Sequence, residues 1–342
     1  MIRMWNDNRI NLQKMISLGM VFVLLCALLC GCGDSEDSGL MGNYRSSDSV
    51  LNTDIGALRG ATFAPLLSQW FLCDVTEDQM TENYVFDAEK EKRTGSVFVI
   101  DRTENRLLFG YRMLDNAYPA SITKLMTALV TLKKCDPKEL VTIDETVAKM
   151  TRGSVSELKE GDVITVYNLL IVLLTSSANN AAVALARHIS GSEEAFVKLM
   201  NAEMDNLGTN KTNFVNCSGL QVDKHETTAY DMYIVYQECT KYPTFREIMK
   251  LTGGEYEYTN AEGEQRVRAY STTNCFKLGM YPYPEGITIL GGKTGTTDRA
   301  GYCLILHIKN ASGHEYILGV FHCETEAKLY NKMNELMEQY CK

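Results

Sequence analysis

The apolar positions of this chain change period several times, and each change predicts an element. Residues 96–101 (SVFVID) and 106–111 (RLLFGY) are rich in β-branched and aromatic side chains and flank the polar stretch RTEN, which predicts a β-hairpin. Pro119 suits a helix entry, where its missing N–H costs nothing, and Ile122, Leu125, Met126 and Leu129 then recur at helical spacing. No Gly or Pro interrupts this pattern before Asp136-Pro137, so a helix is expected to about Lys134. Thr165 is placed to cap an apolar helix over 166–174, and further helices are expected over 181–189, over 193–207 with Gly208 closing it, and over 228–241. Residues 175–180 (TSSANN) read as a short polar link, and 256–283, rich in Tyr and Gly, as irregular. Strands return over 287–293, 302–309 and 315–323, separated by turns at 298–301 and 310–313. Ala327, Tyr330, Met333, Leu336, Met337 and Tyr340 share one face of a closing helix. Two strands, a helical insertion, three strands and a last helix predict an antiparallel sheet with helices segregated from it.

The pattern before residue 94 is different. Arg3, Arg9 and Lys14 precede a run over 15–31 without a single charge, the pattern of a secretory signal. The run ends in Leu29-Cys30-Gly31-Cys32, followed by the polar GDSEDSG. This resembles the lipobox of bacterial lipoproteins, in which cleavage leaves a lipid-modified cysteine at the N-terminus; Cys32 is the expected acceptor and Cys30 a second candidate. Residues 1–31 are therefore read as a lipoprotein signal peptide and 32–93 as a tether and N-terminal extension. Residues 94–342 are read as one domain, with a helical subdomain over roughly 136–270.

Composition narrows the partners. With 45% hydrophobic and 23% charged residues the 342-residue chain is ordinary globular material. Lys and Arg number 34 against 43 Asp and Glu, a net charge of -9, which argues against a nucleic-acid partner. The 11 cysteines include no C-x-x-C pair, and the five histidines are not spaced as ligands on any one helix face, so the spacing predicts no metal site. An exported protein can pair its cysteines, and an oxygen-free host leaves them as thiols; the spacing fits both.

Candidate chemistry centres on Ser121 and Lys124, three residues apart and so one helical turn apart on one face. A cation in the first turn opposes the macrodipole, and the apolar neighbours suggest burial; both favour a neutral amine able to take the proton from Ser121 and make it a nucleophile. Alone, S-x-x-K fits an ordinary capped helix with a solvated lysine equally well. Two further polar stations follow: Ser177-Ala178-Asn179, joining two expected helices, and Lys293-Thr294-Gly295, ending an expected strand.

S-x-x-K, S-x-N and K-T-G in that order resemble the motif set of penicillin-binding proteins and class A β-lactamases. The surrounding segments resemble more narrowly the D-alanyl-D-alanine carboxypeptidases among the low-molecular-mass penicillin-binding proteins. These segments are PASITKLMTALV at 119, LKEGDVITVYNLL at 158, SSANNAAVALA at 176, NFVNCSGL at 213, TTAYDM at 227 and GGKTGTTDRAGYCL at 291. The likeness runs from about residue 94 to the C-terminus.

It implies an α/β, β-lactamase/transpeptidase-like fold, with a five-stranded antiparallel sheet flanked by helices plus an all-helical subdomain. It also implies a serine carboxypeptidase that removes the terminal D-Ala from peptidoglycan stem peptides without cofactor or metal, and that β-lactam antibiotics acylate. In the roles the resemblance implies, Ser121 attacks and Lys124 is its base. Ser177 joins the proton path to the leaving amine, and Asn179 orients Lys124 and the substrate amide. Lys293 supplies positive charge and Thr294 binds the terminal carboxylate. Gly295 lets the peptide approach, and the backbone N–H groups of Ser121 and Thr296 form the oxyanion hole. Arg299 is either a further carboxylate ligand or a solvated turn residue.

There are two departures: Asn180 stands where many relatives have Asp, and the chain reaches Lys342 too soon after Lys293 for the second domain and membrane helix common in the family. Cys32 is therefore expected to supply a membrane anchor outside the cytoplasm. The rival readings are a β-lactamase, for which the glutamate-bearing E-x-x-L-N loop is missing, a peptidoglycan DD-endopeptidase, and a catalytically silent wall-binding lipoprotein.

Overall fold

The expected hairpin forms one side of a central sheet, in a computed structural model that describes residues 95–209 and 211–342. In chain order it has β1 (Val97–Asp101), β2 (Arg106–Tyr111), a short β3 (Asn116–Ala117), a 3₁₀ turn (Ala120–Thr123), α1 (Lys124–Lys134), β4 (Leu140–Thr142), α2 (Glu145–Ala148) and β5 (Val163–Thr165). There follow α3 (Val166–Leu174), α4 (Asn179–Ser190), α5 (Glu193–Asn206), β6 (Thr227–Thr228), α6 (Ala229–Cys239) and α7 (Pro243–Lys250). The chain closes with β7 (Gly253–Thr259), β8 (Gln265–Ser271), β9 (Thr288–Thr297), β10 (Gly301–Lys309), β11 (Glu315–Cys323) and α8 (Glu326–Tyr340).

The five-stranded antiparallel sheet has the order β2-β1-β11-β10-β9, so the strand carrying Lys293-Thr294-Gly295 is an edge strand. Period-two alternation splits β1 between two cores. Phe98 and Ile100 pack with the helices of one layer, and Val97 and Val99 with α8 on the other face. Helix α1 is the axis of the helical layer: its residues from Lys124 to Thr131 are all buried, and it packs against α3, α4, α5 and α6. Side-chain caps fix the helix starts, with Thr165 accepting from Asn168 N, Ser192 from Ala195 N, Thr228 from Asp231 N and Thr325 from Lys328 N. Each such cap contributes about 1 kcal/mol. Gly191, in the left-handed region at φ 79, ends α4.

Four expectations are corrected. The helix expected from Pro119 opens as the 3₁₀ turn, and α1 proper begins at Lys124. Tertiary contact imposes this: Ala120 is held at φ 46, and its carbonyl oxygen lies so close to Gly219 that a Cβ there would meet it at 1.8 Å. Asn179 and Asn180 are not in the polar link but are the first residues of α4. Pro243, read as a terminator, occupies the first position of a further helix, where proline is also at home.

The fourth correction concerns residues 136–270, which are not all-helical. They contribute a second sheet of order β4-β5-β7-β8, and the stretch read as irregular holds the β7–β8 hairpin. Glu255-Tyr256-Glu257-Tyr258 alternates strictly, and the left-handed Gly263 at φ 84 makes the turn. The hairpin is tied down by the Arg268 to Asp162 ion pair at 3.0 Å and by the Arg268 guanidinium, 4.0 Å from the centroid of the Tyr258 ring.

No helix among the described residues is long and apolar enough to cross a membrane. Cys135, Cys217, Cys239, Cys275, Cys303, Cys323 and Cys341 are free thiols. The expected signal peptide, Cys32 and the extension to residue 93 lie outside the described residues.

Candidate active site

Three separate pieces of chain converge on the N-terminal end of α1. The 3₁₀ turn puts Ser121 one residue into its tight spiral, half-buried, and the first α-helical residue is Lys124, whose side chain is wholly buried. Lys124 Nζ lies 2.9 Å from Ser121 Oγ, 2.7 Å from Asn179 Oδ1 and 2.6 Å from the carbonyl oxygen of Ser218. Burial first, and then the positive charge of Lys293, hold this amine well below the usual lysine range. A neutral amine has two N–H bonds and one lone pair. Asn179 Oδ1 and Ser218 O can only accept, so they take the two N–H bonds, and the lone pair is left facing the Ser121 hydroxyl. This is the arrangement a general base needs.

The second station is locked to both of the others. Asn179 Nδ2 donates to the Arg152 carbonyl at 2.8 Å and Asn179 N to Ser154 O at 2.7 Å, so the amide cannot rotate away from Lys124. Ser177 sits in the left-handed region at φ 59, a conformation that serine adopts only under constraint. Its Oγ accepts a 2.9 Å hydrogen bond from Lys293 Nζ. Lys293 Nζ also donates to Thr294 O at 2.9 Å, and burial pushes its pKa down to about 7.

The third station is the edge strand. Register pairs Lys293 with Ile305, Thr294 with Leu304 and Gly295 with Cys303, leaving the other edge of β9 turned to the 3₁₀ turn. A Cβ at Gly295 would lie 3.0 Å from both Pro119 O and Ser121 N and 3.1 Å from Ile122 N, so only glycine lets strand and turn approach this closely. Ser121 N is thereby brought against the strand at Gly295, the residue before Thr296. Thr294 Oγ1 pairs with Thr273 Oγ1.

Every residue singled out from the three motifs therefore lies in one place. Arg299 does not join them: its guanidinium pairs with Asp223 at 2.6 Å, half-exposed, and its backbone N donates to Gln221 Oε1. Two parts of the site escaped the motif reading. The Ser218 carbonyl is presented by the loop NCSGL, which Asn216 organises by accepting from Gly219 N at 2.7 Å and donating to Leu220 O at 2.8 Å. His225 is the other: its Nδ1 accepts from Val215 N at 2.9 Å, so its Nε2 carries the proton and donates to Thr123 Oγ1 at 2.8 Å. Burial lowers its pKa to about 4, so it braces the residue beside Lys124 as a neutral imidazole.

A buried lysine–serine pair at the head of a central helix, facing an edge strand with Lys-Thr-Gly, is set on the β-lactamase/transpeptidase-like fold. The model of the S11 peptidase family, described as D-alanyl-D-alanine carboxypeptidase, matches residues 83–325, and the chain belongs to that family. It is 34% identical over 222 residues to the D-alanyl-D-alanine carboxypeptidase DacF of Bacillus subtilis, an alignment covering 64% of this chain and 54% of that protein. It is 30% identical over 221 residues to a D-alanyl-D-alanine endopeptidase of Escherichia coli, covering 64% and 68%. The chain thus spans about half the length of the Bacillus relative. The fold is similar to that of the crystal structure of a Streptomyces DD-transpeptidase, with a TM-score of 0.63, 23% identity, and coverage of 70% of this chain and 93% of that one.

Proposed function

We propose that the chain is a serine D-alanyl-D-alanine carboxypeptidase that removes the terminal D-Ala from peptidoglycan stem pentapeptides through an acyl-enzyme on Ser121. The observation that carries this reading is the lone pair of Lys124, aimed at Ser121 Oγ from 2.9 Å by two acceptors that cannot donate back. The peptide lies along the free edge of β9 as an added strand, with its terminal carboxylate on Thr294 and beside Lys293. As Ser121 Oγ attacks the D-Ala-D-Ala carbonyl, its proton passes to Lys124. The N–H groups of Ser121 and Thr296 receive the oxyanion, and each such donor contributes about 10²- to 10³-fold in rate. Ser177, hydrogen-bonded to Lys293, relays a proton to the leaving amine, while Asn179 holds Lys124 and the substrate amide. Water, deprotonated by Lys124, then releases the shortened peptide. A β-lactam acylates Ser121 by the same route.

The protein is further proposed to act outside the cytoplasm, tethered to a bacterial membrane through lipid on Cys32. The basic start, the uncharged run and the cysteine followed by GDSEDSG support this. A second reading, endopeptidase action on cross-linked peptides, draws on the similarity to the Escherichia coli endopeptidase. Incubation of the purified protein with a pentapeptide stem and with a cross-linked dimer separates the two. The carboxypeptidase releases free D-alanine from the pentapeptide and leaves the dimer intact. Absence of D-alanine release removes the first reading.

A further inference from the structure

The helix pair that meets at the active site meets again at its far end. Helices α1 and α4 begin at Lys124 and Asn179, which are hydrogen-bonded to each other. Eleven residues later, about 16 Å at 1.5 Å per residue, α1 ends and Cys135 caps it, while His188 stands in the last turn of α4. Glu139, in the turn that leads to β4, comes between them. The ligand-type atoms of Cys135, Glu139 and His188 all lie within 4.8 Å of one another, with His188 Nε2 at 3.0 Å from Glu139 Oε2. The carboxylate is already oriented, because its other oxygen accepts from Asp136 N at 2.6 Å. Cys135 is half-buried and the other two are exposed, so a small ion has access and a water can complete its shell.

We propose that Cys135, Glu139 and His188 form a binding site for a divalent cation of the zinc class. The donor set decides the class: thiolate, imidazole and carboxylate together suit Zn²⁺ and its congeners, whereas Mg²⁺ and Ca²⁺ take oxygen donors. Three protein ligands plus water make a tetrahedron with bonds of about 2.0–2.3 Å, reached by rotation of the Cys135 and His188 side chains toward the held carboxylate. On binding, the Cys135 thiol gives its proton to solvent, and one thiolate with one carboxylate neutralises the dication. The ion bridges the C-terminal ends of the two helices whose N-terminal ends carry Lys124 and Asn179, and only the folded state sets His188 beside Glu139. Sequence spacing conceals the site because His188 lies 49 residues after Glu139, at the end of another helix.

The test is a Co²⁺ titration of the purified full chain, reduced and metal-free, followed by displacement with Zn²⁺. The proposal expects a thiolate-to-cobalt charge-transfer band with the visible bands of a four-coordinate ion, both removed by Zn²⁺. Cys135→Ser abolishes the charge-transfer band, and His188→Gln weakens Co²⁺ binding by ~100-fold. Cys32→Ser, remote in sequence, leaves the band in place. Saturating Zn²⁺ raises the unfolding temperature of the parent chain by several degrees and leaves that of His188→Gln unmoved. A parent chain without the band at a tenfold excess of Co²⁺, or a band that survives in both Cys135→Ser and His188→Gln, overturns the proposal.

Discussion

Lys293 Nζ donates to Ser177 Oγ at 2.9 Å, joining two motifs that lie 116 residues apart in the chain. Ser177, in the left-handed region at φ 59, thus meets a buried amine whose pKa is pushed down to about 7. Burial brings the titration of Lys293 down from the ordinary lysine range to near neutrality.

The pH profile of kcat/KM for D-alanine release should be bell-shaped. Lys124 must be neutral to act as base, so activity is lost as pH falls through its depressed pKa. Lys293 must be charged to attract the carboxylate, so activity is lost as pH rises past about 7 in the free enzyme. Lys293→Arg keeps the charge to high pH, and its alkaline limb should move up by at least ~2 units. An unmoved limb in that variant would assign it to another group.

Asn179→Asp keeps the shape of the side chain and adds a negative charge 2.7 Å from Lys124 Nζ. An opposite charge at that distance stabilises the ammonium, so the acid limb of the same profile should shift upward by about 1–3 units. The acid limb of the parent and variant profiles, compared directly, checks this.

Gly295→Ala places a methyl group 3.0 Å from backbone atoms of Pro119 and Ser121, so strand or turn must give by a few tenths of an ångström. Ser121 shifts with the turn, and acylation by a fluorescent penicillin should slow by about 10-fold, less than the ~10²-fold of a 1 Å misplacement. Gly263, unlike Gly295, is at positive φ, and a Cβ there meets nothing within 4 Å. Gly263→Ala should lower stability by about 1 kcal/mol and leave the acylation rate unchanged.

His225 is neutral in the folded protein down to about pH 4, whereas in the unfolded chain it takes up a proton below about 6.5. The unfolded state therefore binds more protons between these values. Stability is full above pH 6.5 and is lost as pH falls toward 4, by up to about 3 kcal/mol. Denaturant melts at stepped pH should show this slope in the parent and a flatter one in His225→Gln. The variant should start about 1–3 kcal/mol lower at neutral pH, because the Val215 N–H loses its buried acceptor.

The parts of this fold that were legible in the sequence are those with local causes. The cap at Thr165, Gly208 closing α5, and the strand and turn pattern from residue 287 onward each carry their own signal. The motif side chains were legible because the chemistry names them by residue type. The Ser218 carbonyl was not, since a main-chain acceptor leaves no mark beyond the turn-forming Asn216 and Gly219 around it. Nor were the left-handed Ala120 and Ser177, whose conformations are imposed by partners distant in sequence. The β7–β8 hairpin was hidden for another reason: its alternating residues are Tyr and Glu rather than aliphatic, so composition pointed to irregular chain where periodicity pointed to a strand.

The most direct test of an activated Ser121 is the intact mass of the protein after exposure to benzylpenicillin, followed by peptide mapping. The parent should gain the mass of one penicilloyl group, located on Ser121. Ser121→Ala should gain nothing, and Lys124→Met, still folded, should be acylated at least ~10³-fold more slowly. An unchanged parent mass after prolonged exposure, or an adduct that maps to another residue, would contradict the account.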